Sequence, residues 1–216
     1  MKHPIFPSIG IDRLRMATDG DGVTTLVCAQ GCPLRCKYCI NPQSSISKKA
    51  PRHLFTPSEL YNALKIDSLY FLATGGGVTF GGGEPLLYPD FIVEFAKLAK
   101  DWKIYVETSL SVNHENLKKV MPYVDCFFVD IKDTDPEIYK AYTGRDIDRA
   151  ITNLSYLAKH TDSEKIIVRL PRIPHFNDDN CRNKSEEHLR KMGITRFNRF
   201  DYRIKPGMPL PEGAEG

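Results

Sequence analysis

Apolar and polar positions along this chain switch between two periods. Val23–Ala29 is β-branched and apolar, the pattern of a buried strand. Gly77–Phe80, Lys103–Thr108, Cys126–Ile131, Lys165–Ile173 and Phe197–Ile204 are read as five further strands. Between these runs the spacing lengthens to that of a helix. Thr56-Pro57-Ser58-Glu59 opens the first helix, with Thr56 as N-cap, Pro57 at N1 and Glu59 at N3, and the pattern runs to about Ile66. Tyr88–Trp102 sets Phe91, Phe95, Leu98 and Trp102 on one face. Asn113–Met121 is predicted helical, capped by Asn113 and ended near Pro122. Asp135–Tyr142, Ile147–Lys159 and Ser185–Met192 complete the set, with Ile151, Leu154 and Leu157 on the inner face of the second.

Strands that alternate with helices imply a parallel sheet with right-handed crossovers. Six such units make three quarters of a (β/α)8 barrel, so the expected fold is α/β, a partial (β/α)6 barrel over residues 24–205. Residues 1–23 hold Pro4, Pro7, Gly10, Gly20 and Gly22, lack a periodic signal, and read as a lead-in loop with a short hairpin. Residues 206–216 are rich in Pro and Gly and read as a loose tail. Neither a repeat nor a second domain is visible, and no long helix follows the sixth strand.

A chain of 216 residues, 41% apolar and 26% charged, suits one domain with a proper core. A net charge of +3 is too small to argue for nucleic acid. Without an eighteen-residue apolar run or a signal peptide, the expected location is the cytoplasm, with no membrane partner. Six cysteines there point to metal or redox chemistry more than to disulfides. Cys126 and Cys181 are isolated and read as inert.

In a barrel of this kind chemistry gathers at the C-terminal ends of the strands. Directly after the first strand comes Cys32-Pro33-Leu34-Arg35-Cys36-Lys37-Tyr38-Cys39. Thiolates suit zinc or iron–sulfur clusters. Zinc sites usually complete four protein ligands with paired C-x2-C spacings, whereas only three thiols fall close together here. Three would leave one iron of a cubane open to an outside ligand. A zinc knuckle and three ordinary buried cysteines are the alternatives. Cys28 is the sole candidate for a fourth ligand, but it lies within the apolar strand and reads as structural. The second strand runs into Gly81-Gly82-Gly83-Glu84-Pro85. Glycines admit a ligand close to the backbone, while a phosphate loop would need a lysine that is absent here. The plain alternative is a tight strand-to-helix turn. Glu107-Thr108-Ser109 closes strand three and Asp130-Ile131-Lys132 strand four. Arg169 lies in strand five and Arg203 near the end of strand six, so the polar groups share one rim.

The spacing C-x3-C-x2-C, with an aromatic residue before the last cysteine, resembles the radical S-adenosylmethionine (SAM) superfamily. Asp19-Gly20-Asp21-Gly22, Gln30-Gly31-Cys32, Cys39-Ile40-Asn41-Pro42, Gly75-Gly76-Gly77, Tyr142-Thr143-Gly144 and Arg172-Ile173-Pro174-His175-Phe176-Asn177-Asp178-Asp179 are similar to the activating enzymes of glycyl radical enzymes. This resemblance implies that Cys32, Cys36 and Cys39 hold a [4Fe–4S] cluster. It sets Tyr38 and Asn41 against SAM, and Gly82, Gly83 and Glu84 at its amino group. Thr108, Lys132 and Arg169 are further implied contacts, and Asp19 an implied contact of the substrate peptide. A monovalent cation beside SAM would fall to Glu107, Thr108 and Asp130. Plainer readings make Lys132 and Arg169 rim ion-pair partners, Asp19 a turn residue, and Glu107 and Asp130 loop caps or partners of Lys132.

The sequence departs from the family pattern in three places. Glu107 stands where the family has aspartate, and Asp201-Tyr202-Arg203 where it has a histidine after Pro-Tyr. A final helix over the barrel is missing, so a partner is expected to cover that side or leave it mobile. With no cysteine between Asn41 and Val78, one cluster is expected. The implied activity is that of an oxidoreductase that cleaves SAM reductively to a 5′-deoxyadenosyl radical. The radical takes hydrogen from a glycine of a partner glycyl radical enzyme, and flavodoxin or ferredoxin supplies the electron. Two rivals remain: a radical SAM enzyme acting on a small molecule, like the deazaguanine synthases of queuosine synthesis, and a non-catalytic metal-binding scaffold.

Overall fold

A computed structural model describes residues 3–16, 18–44 and 51–204. Its strands are β1 (Phe6–Met16), β2 (Val23–Ala29), β3 (His53–Phe55), β4 (Gly77–Gly82), β5 (Lys103–Thr108), β6 (Cys126–Asp130), β7 (Ile166–Arg172) and β8 (Arg196–Asp201). They form one sheet in the order β3-β1-β2-β4-β5-β6-β7-β8, which leaves β3 and β8 as edges and the barrel open. From β2 through β8 every neighbouring pair is parallel, as the alternating pattern implies. Helices α1 (Pro57–Leu64), α2 (Ser68–Thr74), α3 (Pro89–Leu98), α4 (His114–Val120), α5 (Pro136–Thr143), α6 (Asp148–His160) and α7 (Asp179–Lys191) supply the crossovers.

Sheet side chains divide by the period of two. Phe80, Val106, Phe127, Val129 and Val168 point outward and pack with Phe91, Phe95, Leu117 and Leu154 in the main core. Tyr105, Cys126 and Phe128 pack together on the concave side, where Glu107 meets Arg169. Burial of each large apolar side chain contributes about 1.5–3 kcal/mol, so the outer layer carries most of the stability. The concave side is left free for polar groups.

Four expectations change. Within residues 1–23 the expected hairpin is present and long: Phe6–Met16 form β1, antiparallel beside β2, where a lead-in loop was expected. Two register shifts, between Ser8 and Gly10 and between Asp12 and Arg15, break the alternation that would have announced it. Ser8 is buried although polar, because its hydroxyl donates to the carbonyls of Gly10 and Cys28. The helix opened by the Thr56–Glu59 capping box stops at Leu64, and a second helix, α2, follows a short turn. α2 buries only Phe71 and leaves Leu69, Tyr70 and Leu72 exposed, so it presents no amphipathic stripe. α3 ends at Leu98, which is half-exposed, and Trp102 reaches the core from the next turn. Its indole stacks on Tyr61 and donates to Ser68 Oγ at 3.0 Å. α7 begins at Asp179 rather than Ser185, because the Asp178 carboxylate caps it by accepting from Cys181 N at 2.8 Å. The expected loose tail, 206–216, lies outside the described residues. Among those described, no helix is long and apolar enough to cross a membrane.

Candidate active site

The loops after β2 and β4 are sewn together by their backbones. Gly83 N donates to Ala29 O at 3.0 Å, and Glu84 N to Gly31 O at 2.7 Å. A Cβ on Gly83 would stand 2.3 Å from Gly31 O, so only glycine permits this approach. Gly82, at φ 84°, makes the turn that brings it about. Asn41 adds a side-chain bond, its amide donating to Gly82 O at 3.2 Å.

From the other side α5 holds the cysteine loop. Thr143 O accepts from Arg35 N at 2.8 Å and Tyr142 O from Lys37 N at 3.0 Å, which pins the backbone on either side of Cys36. Arg145 Nε donates to Pro33 O at 3.0 Å. Tyr38 is fully buried among Tyr142, Phe176 and Tyr202, and the Tyr202 hydroxyl donates to Tyr38 O. These contacts fix the backbone of the loop on both sides of Cys36.

Cys32, Cys36 and Cys39 are free, half-buried thiols on this loop. Burial, followed by the charge of Glu84, pushes Cys32 up to about 12. Burial pushes Cys36 up to about 11 although Lys132 opposes it. Such thiols ionise when a metal takes the proton's place. Among the described residues no three His, Cys, Asp or Glu side chains converge closely enough to hold a single ion. A cubane takes each cysteine on a different iron, so the donor set and its one-loop spacing fit a [4Fe–4S] cluster. Two fully buried phenol oxygens near the loop, of Tyr38 and Tyr139, have no hydrogen-bond partner, which also fits a group seated there. Cys28 lies apart, with its Cβ against Gly82 on β4, and burial pushes its thiol up to about 11.

The rim residues are already paired with one another. Glu84 is buried, and its carboxylate accepts from Thr108 Oγ1 at 2.7 Å, Ser109 N at 2.9 Å, Ser109 Oγ at 2.7 Å and Leu86 N at 3.2 Å. Its side chain braces the β5 loop, and the Gly83 and Glu84 amides are already donated to Ala29 O and Gly31 O, so the segment offers a ligand its carbonyl oxygens. Burial raises the Glu84 carboxyl against the pull of these donors. Glu107 pairs with Arg169 at 2.6 Å, and Arg169 also lies over the Phe128 ring and donates to Thr18 O at 3.1 Å. Burial raises Glu107, and Arg169 opposes it. Asp130 pairs with Lys132 at 3.3 Å. Burial alone would lower the Lys132 ammonium, but Asp130 and Cys36 hold it raised. Glu107 and Asp130 bear on each other electrostatically, whereas the Thr108 hydroxyl turns to Glu84; each is already engaged by a protein group.

Asp19 sits deeper in the barrel, fully buried. Its carboxylate accepts from Thr18 Oγ1 at 2.6 Å, Arg15 Nε at 2.8 Å and Thr24 Oγ1 at 3.0 Å, and its carbonyl from Thr79 Oγ1 at 2.8 Å. It is more than a turn residue, since three donors fix its carboxylate. Sequence reasoning placed Ser109 and Tyr202 near the strand ends without their contacts, and missed Arg145 and Tyr139 as parts of this assembly. Tyr142-Thr143-Gly144 was visible as a motif, but its use as a carbonyl clamp on the cysteine loop was not.

The ion pair on the concave side gives one expected result. Arg169→Met strands Glu107 in a mostly buried position and lowers unfolding stability by about 3 kcal/mol, read from urea melts of the metal-free chain. Adding Glu107→Gln restores much of the loss. Equal stability of wild type and single variant would show that the pair does nothing for the fold.

Three comparisons bear on identity. The radical SAM superfamily model matches residues 26–183. The pyruvate formate-lyase-activating enzyme of Clostridium pasteurianum is 32% identical over 207 residues, which covers 87% of this chain and 84% of that protein. The (2S)-3-sulfopropanediol dehydratase activating enzyme of Klebsiella oxytoca is 31% identical over 222 residues, covering 74% and 69% respectively. The crystal structure of Streptococcus suis SuiB bound to precursor peptide SuiA superposes with a TM-score of 0.64 at 15% identity, a likeness of fold. It covers 86% of this chain but only 41% of that longer one.

Proposed function

Because this chain belongs to the radical SAM superfamily, among the activating enzymes of glycyl radical enzymes, we propose that it removes a hydrogen atom from a glycine of a partner glycyl radical enzyme. The observation that carries this reading is the cysteine loop, clamped by α5 and sewn to the glycine loop. Two relatives from different organisms, named for activating different enzymes, support it.

The chain uses a [4Fe–4S] cluster and SAM. Together these supply one-electron chemistry that ends in methionine, 5′-deoxyadenosine and a carbon that has lost hydrogen. The protein's part is to hold and orient. Cys32, Cys36 and Cys39 hold the cluster. The backbone of Gly82, Gly83 and Glu84 takes the amino group of SAM, with Tyr38, Asn41 and Thr108 lining the same space. Lys132 and Arg169 offer positive charge to its carboxylate. A cation at Glu107, Thr108 and Asp130 would have to compete with Arg169 and Lys132 for the two carboxylates. The substrate glycine arrives on a peptide loop through the open side between β8 and β3, and Asp19, fully buried, meets that peptide by releasing one of its three donors. Exposed Arg35, Lys37 and Ile40 beside the cluster suit a small acidic electron donor, a flavodoxin or ferredoxin. The reading is cytoplasmic, where a reducing medium keeps the cysteines as thiols.

The test is anaerobic reconstitution with iron and sulfide, reduction, addition of SAM, and assay for 5′-deoxyadenosine. Adding a candidate partner should then yield a glycine-centred radical by electron paramagnetic resonance. Cleavage of SAM with turnover of a small molecule, and no radical on any protein, would replace this reading with its small-molecule rival. A loaded, reduced cluster that never cleaves SAM would leave a scaffold.

A further inference from the structure

Tyr139 carries a polar group that none of these roles uses. It is 0% exposed, and its hydroxyl has no hydrogen-bond partner. A buried hydroxyl left unpaired costs on the order of 1–3 kcal/mol, and native proteins seldom leave one so. Its position suggests what is missing. Tyr139 lies one turn before Tyr142 and Thr143, whose carbonyls clamp the amides flanking Cys36, and Thr143 Oγ1 donates to Tyr139 O at 2.7 Å. Burial raises its phenol well above the ordinary value, so it stays a donor at any working pH. The ionisable groups that bear on it are Cys36 first, then Glu84, Cys32 and Asp130. Glu84 already accepts four hydrogen bonds, and Asp130 already faces Lys132. Neither cysteine sulfur is itself within hydrogen-bond reach of the hydroxyl, so an acceptor would have to come from the group that Cys36 and Cys32 hold. Tyr38, the other buried phenol without a partner, is boxed by Tyr142, Phe176 and Tyr202.

We infer that the Tyr139 hydroxyl donates a hydrogen bond to an inorganic sulfide of the cluster that Cys36 holds, and raises its reduction potential. The inference rests on the cluster reading above. Hydrogen bonds to sulfur are among the terms that set such potentials. A donor favours the reduced cluster, which carries one more negative charge. Tyr139 is thus a positioning and tuning residue, and takes no part in bond cleavage.

The test uses reconstituted holoenzyme without SAM, so that a contact with SAM cannot imitate the effect. Tyr139→Phe keeps the ring and removes only the hydroxyl. It should load the cluster fully yet shift the one-electron reduction equilibrium about tenfold toward the oxidised form, a drop of about 59 mV. In deuterated water, pulsed paramagnetic resonance of the reduced cluster should show one exchangeable deuteron fewer than the wild type. An unchanged potential, or an unchanged set of deuterons, overturns the inference. If the variant fails to load, 3-fluorotyrosine placed at 139, a stronger donor, should raise the potential, and no rise overturns it equally. A wild type that binds no cluster would instead overturn the reading beneath it.

Discussion

Cys36→Ala will abolish both iron–sulfur loading and SAM cleavage while leaving the fold intact. Cys36 lies at the centre of the clamped loop, between the two amides that Tyr142 and Thr143 hold, and its carbonyl accepts from Cys39 N at 3.2 Å. None of those bonds involves the thiol, so the backbone keeps its shape when sulfur is lost. The side chain is half-buried, and losing one atom's worth of contact costs about 1 kcal/mol. The cluster, by contrast, loses one of its three protein ligands. Bound iron, the visible absorbance of the cluster and 5′-deoxyadenosine should all fall to background, with a urea midpoint close to that of the metal-free wild type. Cys126→Ala is the matched control, because Cys126 packs with Tyr105 and Phe128 far from the loop and should leave loading unchanged. Full loading of Cys36→Ala would remove the cysteine loop from its role.

Glu84→Ala will cost on the order of 3–5 kcal/mol of folding stability in the metal-free chain. The side chain accepts two hydroxyl and two backbone donors inside the protein. Each stranded donor costs roughly 1–3 kcal/mol. Part is offset, because burial already disfavours the Glu84 carboxylate, as its raised pKa shows. Glu84→Gln should fall between the two, since an amide still offers one accepting oxygen but turns its own N–H groups toward donors. Urea unfolding without iron or SAM separates two roles. If Glu84 served only to contact SAM, the metal-free chain would not notice its loss. A change below about 1 kcal/mol in Glu84→Ala would therefore refute the brace.

Legibility differed from place to place for identifiable reasons. Most parallel strands were readable because they are buried along a continuous β-branched or aromatic run, as in Cys126–Asp130; β8, with no buried residue, shows no such run. Thr56 and Glu59 announced α1 because a capping box is a local bond pattern, and it forms as written. β1 was not readable, because register shifts and a buried, satisfied Ser8 erase its period. α2 was not readable either, because its exposed leucines follow no face.

The same division holds at the site. The sequence by itself determined what depends on short spacing: three cysteines on one loop, three glycines at a strand end, and the order of strands that carries both to one rim. Spacing suffices there because a loop of eight residues leaves its side chains little freedom to scatter. Only the tertiary structure decided how the distant groups pair. Arg169 takes Glu107, and the Glu84 carboxylate turns inward to Thr108 and Ser109. α5 clamps the cysteine loop through carbonyls that any residue could have supplied. These contacts join residues far apart in the chain, and a buried charge or donor settles on whichever partner the packed sheet brings within reach, which no local pattern encodes.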